Sequence, residues 1–252
     1  MSYSKAFGFQ ASTNIINTIL KDKIMPKLIA IEGLDGSGKG TQSALLAESV
    51  KRAGYTPVPV SFPDYDSPGS TPVKMYLGGE LGSSPDDTGA YAASMLFATD
   101  RYISYKTKWE TAAAAEDAVI VANRYTTANA YHQMAKLPED MWEEYLDWLW
   151  DLEFTKLALP RPEGVIVLLL PTEVSASLIE KRCRETGAVK DIHECDMDYL
   201  ASCRKAAIYA ADKLGWTVIN CEDGCGGILP INVIHEKVCA AASEILGIAL
   251  PL

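Results

Sequence analysis

The sequence is short of positive charge. Its 252 residues hold 23 Lys and Arg against 33 Asp and Glu, a net −10 with histidine neutral. A protein that coats nucleic acid or an anionic membrane needs a basic face, so this balance argues against both partners. A small anion remains compatible, because a local cation cluster acts within a Debye length of about 8 Å. No uninterrupted apolar run exceeds the six residues 165–170, far short of the roughly 18–20 that span a bilayer. Asn14, Asn17 and Thr18 break up the apolar residues that follow Lys5, so no signal-peptide core forms. The six cysteines include no Cys-x-x-Cys pair. At this size neither a disulfide framework nor a zinc site is expected, and they read as reduced thiols of a cytoplasmic protein. No internal repeat or low-complexity tract is present.

What is there is a composition that can build a core, 48% hydrophobic and 22% charged, which excludes a disordered chain. Residues 1–25 are polar and weakly patterned and end in Met25-Pro26. They read as an N-terminal extension or leader, with Met25 an alternative start, ahead of a single domain over 26–252. From Lys27 onward strand and helix signals alternate. Strands are expected at 27–32, 55–62, 118–122, 165–170 and 216–220. Helices are expected at 41–52, 88–115, 138–159, 172–184, 196–214 and 231–246. Pro57 and Pro59 demote the second strand towards a sheet edge. The fold class is therefore α/β: a doubly wound, five-stranded parallel sheet with helices on both faces. Ligands bind such sheets beyond the carboxyl ends of the strands.

The sharpest motif lies where the first strand ends. Residues 33–42 read Gly-Leu-Asp-Gly-Ser-Gly-Lys-Gly-Thr-Gln. A strand, a glycine-rich loop and a helix N-terminus follow one another as a phosphate cradle requires. Glycines let backbone N–H groups converge on phosphate oxygens, and the helix end adds positive potential. This assigns Gly33, Asp35, Gly36, Ser37, Gly38, Lys39, Gly40 and Thr41 to ATP, with Lys39 reaching the β- and γ-phosphates. The usual pattern puts a magnesium-ligating Ser or Thr directly after the Lys; here Gly40 intervenes before Thr41. The Gly-Lys-Gly-Thr form resembles adenylate kinase and its relatives. It suggests Mg²⁺ held largely through water and phosphates, and no protein metal ligand is assigned. No Asn-Lys-x-Asp guanine-reading motif is present.

Three further stretches bear on the acceptor. Phe62-Pro63 follows the second strand. Phe97 and Arg101 stand four apart on one helical face, so an aromatic plate and a planar donor fork can address one base. Arg124-Tyr125 follows the third strand, with Asn129, Tyr131 and His132 close behind. Together with residues 32–39 these features resemble thymidylate kinase, a family of phosphate-loop nucleoside monophosphate kinases, over essentially Lys27 to the C-terminus.

The resemblance implies ATP and dTMP as substrates, dTDP and ADP as products, a P-loop kinase fold with a small mobile lid, a homodimer, and a cytoplasmic location. It implies that Phe97 stacks on thymine, that Arg101 bonds an exocyclic oxygen and that Asn129 reads the base edge. Arg124 would clamp the acceptor phosphate, Asp35 would orient the deoxyribose, and Phe62 and Pro63 would complete the acceptor site. A ribose 2′-hydroxyl would be met by Tyr131 or His132, between which the spacing does not choose. Three departures stand out: Asn123 where relatives commonly carry Asp, Ala128 for a frequent Ser, and Tyr65 for a phosphate-binding Arg. Gly40 and Asn123 together remove two direct metal ligands.

Residues 181–190 carry four cations and one anion, and Gly187 interrupts helical packing, as a flap requires. The lid is placed at about 182–195, with Arg182 and Arg184 joining Lys39 and Arg124 as catalytic cations and Lys190 in reserve. Two alternatives to a dTMP kinase are another (deoxy)nucleoside monophosphate kinase and a catalytically weak nucleotide-binding or regulatory protein. Glu139, Asp140, Glu143, Glu144, Asp147, Asp151 and Glu153 lie in a stretch without Lys or Arg and read as the solvated face of one helix.

Overall fold

In the computed structural model, residues 26–187 and 189–252 are described. The expected N-terminal extension, 1–25, lies outside them. Five strands, β1 (Lys27–Gly33), β2 (Thr56–Ser61), β3 (Ala118–Asn123), β4 (Gly164–Leu169) and β5 (Thr217–Asn220), form one sheet in the order β2-β3-β1-β4-β5. Every pairing is parallel. The central residues of β1, β3 and β4 (28–31, 118–122 and 165–169) are apolar without alternation because helices cover both faces. Among the described residues β2 pairs only with β3, and an edge strand tolerates the N–H groups missing at Pro57 and Pro59.

The helices are α1 (Lys39–Arg52), α2 (Thr71–Leu77), α3 (Ala90–Ser104), α4 (Asn129–His132), α5 (Trp142–Trp150), α6 (Thr172–Thr186), α7 (Met197–Leu214) and α8 (Ile231–Leu246). Successive strand residues face opposite sides. Ile29 and Ile31 pack with Leu46, Val50 and Val238 beneath α1 and α8. Leu28 and Ala30 pack on the other face with Trp109, Tyr125 and Phe154.

The expected long helix 88–115 is α3 prolonged by a π-helical turn, Tyr105–Trp109, and a last turn, Glu110–Ala113. The expected helix 138–159 resolves into a 3₁₀ turn, α5 and a π-helical turn over Asp151–Lys156. Six of the seven acids of that stretch are exposed, but Glu153 is fully buried. It follows Leu149 by four residues and so falls on the buried face. α2 was not expected. The stretch leading into it, Ser67-Pro68-Gly69-Ser70, reads as a turn, and Pro72 sits in its first turn, where proline is tolerated.

Because all five strands are parallel, their carboxyl ends share one edge of the sheet. β1 sits at the centre, β3 on one side of it and β4 on the other, so the crevice at its end is where a ligand is expected. No helix among the described residues is long and apolar enough to cross a membrane.

Candidate active site

β1 delivers the chain into the glycine-rich loop, and Gly36 and Gly38 take the left-handed φ values +80° and +84°. A Cβ on Gly36 would also lie 2.9 Å from the Ser175 carbonyl oxygen, so the loop requires glycine there twice over. Lys39 folds back and donates from Nζ to the Leu34 carbonyl at 2.8 Å, 3.8 Å from Asp35 Oδ1. Burial, with Arg124 close by, pushes its ammonium down to about 7. Phosphate oxygens would restore the charge. ATP binding at pH 8 is therefore expected to take up close to one proton, and at pH 6 almost none. Titration calorimetry in buffers of differing ionisation heat measures this; no uptake at pH 8 would remove Lys39 from the phosphates.

β3 ends beside the loop. Arg124 donates its backbone N–H to the Ile31 carbonyl and has φ +64°, an uncommon, strained backbone for a residue with a side chain. Its Nη2 donates to Asp35 Oδ1 at 2.5 Å, and its Nη1 lies 3.2 Å from the Tyr131 hydroxyl and 2.9 Å from His132 Nε2. Burial works to raise the Asp35 carboxyl, but Arg124 and Lys39 outweigh it and hold it well below the usual range. Behind this pair Glu32 is fully buried and accepts from Tyr125 N–H, the Thr127 hydroxyl and the Tyr131 hydroxyl.

Two hollows meet at this point. The smaller is walled by Phe97, Arg101, Asn129, His132, Gln133 and His193 among others. The second is an open cleft along Asp35, Gly36, residues 38–41, Asn123 and the face of α6 with Lys181 and Arg182. Asp35, Phe62, Pro63, Tyr65, Arg124 and Asp191 line both.

The structure brings most of the expected residues together, with exceptions. Tyr131 is fully buried behind Arg124 and does not line the smaller hollow, whereas His132 does. Its hydroxyl is held by Glu32 and by the Gly33 backbone, which draws the ring away from the ligand space. Arg184 is exposed and off the cleft wall, because α6 turns it to solvent two residues after Arg182. Arg182 itself is engaged, donating from Nη2 to both Glu194 oxygens at 2.7 Å. Arg101 is buried against Glu153 and lines the smaller hollow.

Reading the sequence missed Gln133, whose side-chain amide is buried in the wall of the smaller hollow beside the Tyr76 hydroxyl. It missed Asp191 and His193 as walls as well. His193 stacks on His132 at 5.4 Å and 18° and meets the Tyr76 hydroxyl at 2.7 Å. Burial, aided by Lys136, pushes His193 down to about 3. Burial also pushes Asp191 up to about 6.

Comparison with known proteins decides the family. The sequence model of thymidylate kinase matches residues 31–226. The chain belongs to the thymidylate kinase family. The thymidylate kinase of Mycobacterium tuberculosis is 30% identical over 185 residues, covering 73% of this chain and 84% of that protein. A probable thymidylate kinase of Methanothermobacter thermautotrophicus is 32% identical over 220 residues, 87% and 96% of the two chains. The solved thymidylate kinase of Candida albicans superposes with a TM-score of 0.59 at 18% identity, over 85% of this chain and 89% of its own. At that identity the likeness is one of fold. The thymidylate kinase match spans the phosphate loop, both hollows and α6, so the P-loop kinase reading of the α/β fold holds.

Proposed function

We propose that the chain is an ATP-dependent dTMP kinase, transferring the γ-phosphoryl group of ATP to dTMP to give dTDP and ADP. The observation that carries this is the meeting of two hollows at Asp35 and Arg124, with Lys39 on the donor side. Phosphoryl transfer is mostly positioning and charge neutralisation, and this junction concentrates cations where two phosphates would abut. The acceptor phosphate is already an anion at neutral pH, so no general base is required. In this reading the backbone of residues 33–41 cradles ATP and Lys39 draws on its β- and γ-phosphates. Arg124 grips the acceptor phosphate, and Asp35 holds Arg124 and Lys39 in place beside the deoxyribose. Arg182 closes from a lid at about 182–195.

Phe97 stacks on the base. Arg101, Asn129 and Gln133 read its edge. The Asn129 side-chain nitrogen, buried without a partner in the wall of the smaller hollow, supports this, because buried amides are ordinarily satisfied. His132, rather than Tyr131, faces the sugar.

When bound with ATP, Mg²⁺ supplies charge neutralisation at the β- and γ-phosphates. No group of three His, Cys, Asp or Glu among the described residues could hold a metal. However, Asn123 Oδ1 is buried without a partner and Thr41 lines the same cleft. These oxygens suit an ion that keeps much of its water and phosphate ligation. The kinase domain over 26–252, the homodimer and the cytoplasmic setting belong to the same proposal.

An assay of ADP release across dTMP, dUMP, AMP and CMP, with and without magnesium, tests it. The expected order puts dTMP first, with turnover dependent on the metal. Preference for AMP or CMP would overturn the acceptor. Absence of turnover with every acceptor would favour a nucleotide-binding protein, the reading that Asn123 and Gly40 recommend.

A further inference from the structure

The guanidinium of Arg101 and the carboxylate of Glu153 are among the most deeply buried charges in the protein, at 1% and 0% exposure. Glu153 takes both Arg101 Nε and Arg101 Nη2 through its two oxygens. It also accepts from the Thr126 hydroxyl at 2.7 Å. A buried charge persists only when paired and hydrogen-bonded, and this one is satisfied from two directions. Glu153 comes from the π-helical turn Asp151–Lys156 and Arg101 from α3. Thr126 comes from the 3₁₀ turn between Arg124 and α4. Three segments distant in sequence therefore converge on one carboxylate directly behind the wall of the smaller hollow.

A planar guanidinium held at two nitrogens has no freedom left to rotate. Only Nη1 of Arg101 lies outside the pair with Glu153, and Arg101 lines the hollow beside Phe97, Asn129 and Gln133. Arginine presents donors and no acceptor, whereas the amides of Asn129 and Gln133 present both and can flip. A fixed donor suits a ring carbonyl and leaves a ring amino group facing another N–H. The flexible amides do not make that distinction alone.

We propose that Glu153 is a positioning residue that locks Arg101 so that its free N–H groups select a 4-oxo pyrimidine over a 4-amino one. This rests on the proposal that the smaller hollow holds the acceptor base. A site built to hydrogen-bond one substrate group discriminates strongly against a substrate that leaves buried polar atoms unpaired.

The test is initial rates of the full-length protein with ATP against dTMP and dCMP, for the wild type and for Glu153→Gln, with the folded fraction counted by thermal melting. The expected result is a fall of about tenfold or more in the dTMP:dCMP ratio of kcat/KM, carried mainly by KM for dTMP, with KM for ATP unchanged. A purely structural role would lower the active fraction equally for both substrates and leave the ratio where it was; that outcome overturns the proposal. Should Glu153→Gln fail to fold, Glu153→Asp keeps the countercharge but draws the carboxylate back, and the same ratio is read. It should fall in that variant too, and an unaltered ratio in a folded Glu153→Asp protein is equally fatal. A wild type that favours dCMP would instead refute the thymidylate acceptor, and this role with it, before any variant is compared.

Discussion

Lys39→Ala should turn over dTMP about 10³-fold more slowly than the wild type, with its melting temperature nearly unchanged. The two halves of that result have separate causes. Turnover falls because Lys39 is the cation at the end of the phosphate loop, buried on the wall of the donor cleft. Charge aimed at a transferring phosphoryl group acts where water is scarce. Stability holds because little is stranded. The Lys39 ammonium, pushed down to about 7 by burial and Arg124, is largely neutral at pH 8 in the free protein. Asp35 keeps its bond to Arg124. The Leu34 carbonyl loses one partner beside an open cleft, where water replaces it. A coupled assay of ADP release and a thermal melt of the same sample measure both halves. Near-normal turnover would show that residues 33–41 are not the donor site.

Arg124→Ala and Arg124→Gly are expected to lose turnover alike, by about 10²–10³-fold, yet to melt at different temperatures. Each removes the guanidinium that joins Asp35, Tyr131 and His132 at the junction of the two hollows. The backbone separates them. At φ +64° a Cβ costs about 1–2 kcal/mol in the left-handed region. Glycine gives that back but carries an entropic cost of about 0.5–1 kcal/mol. The steric term is the larger, so the glycine variant should melt higher by about 1–4 °C. Equal melts would mean the positive φ is unstrained, and retained turnover would take Arg124 off the acceptor phosphate.

An Arg held in a left-handed backbone at a strand end is not legible in Asn123-Arg124-Tyr125 alone. The conformation comes from the loop's closure onto β1, where the Arg124 N–H meets the Ile31 carbonyl. Tyr131 and His132 show the same limit. Two adjacent residues with similar aromatic character cannot be told apart by spacing. The buried Glu32 carboxylate captures the Tyr131 hydroxyl, and His132, not Tyr131, lines the smaller hollow. Gln133 carried no sequence signal, since an amide after a short helix is ordinary; its significance lies in its burial in the wall of the smaller hollow. Glu153 did carry one. Four residues past Leu149 is a core position, and the phase of the helix outranks the charge of its neighbours.

By itself the sequence determined the order of strands and helices, the edge position of β2 and the site of the phosphate loop. These follow from local causes: apolar runs long enough for a covered strand, prolines that cannot donate, glycines that permit left-handed turns. Its shortage of positive charge determined that any anion site must be small and local. Tertiary structure alone decided which cations face that site. It left Lys39 and Arg124 at the junction, tied Arg182 to Glu194, turned Arg184 to solvent and sealed Arg101 against Glu153. The reason is that a charge's role depends on its partners and its burial. Those partners lie up to 89 residues away in the Asp35–Arg124 pair, beyond the reach of any local pattern.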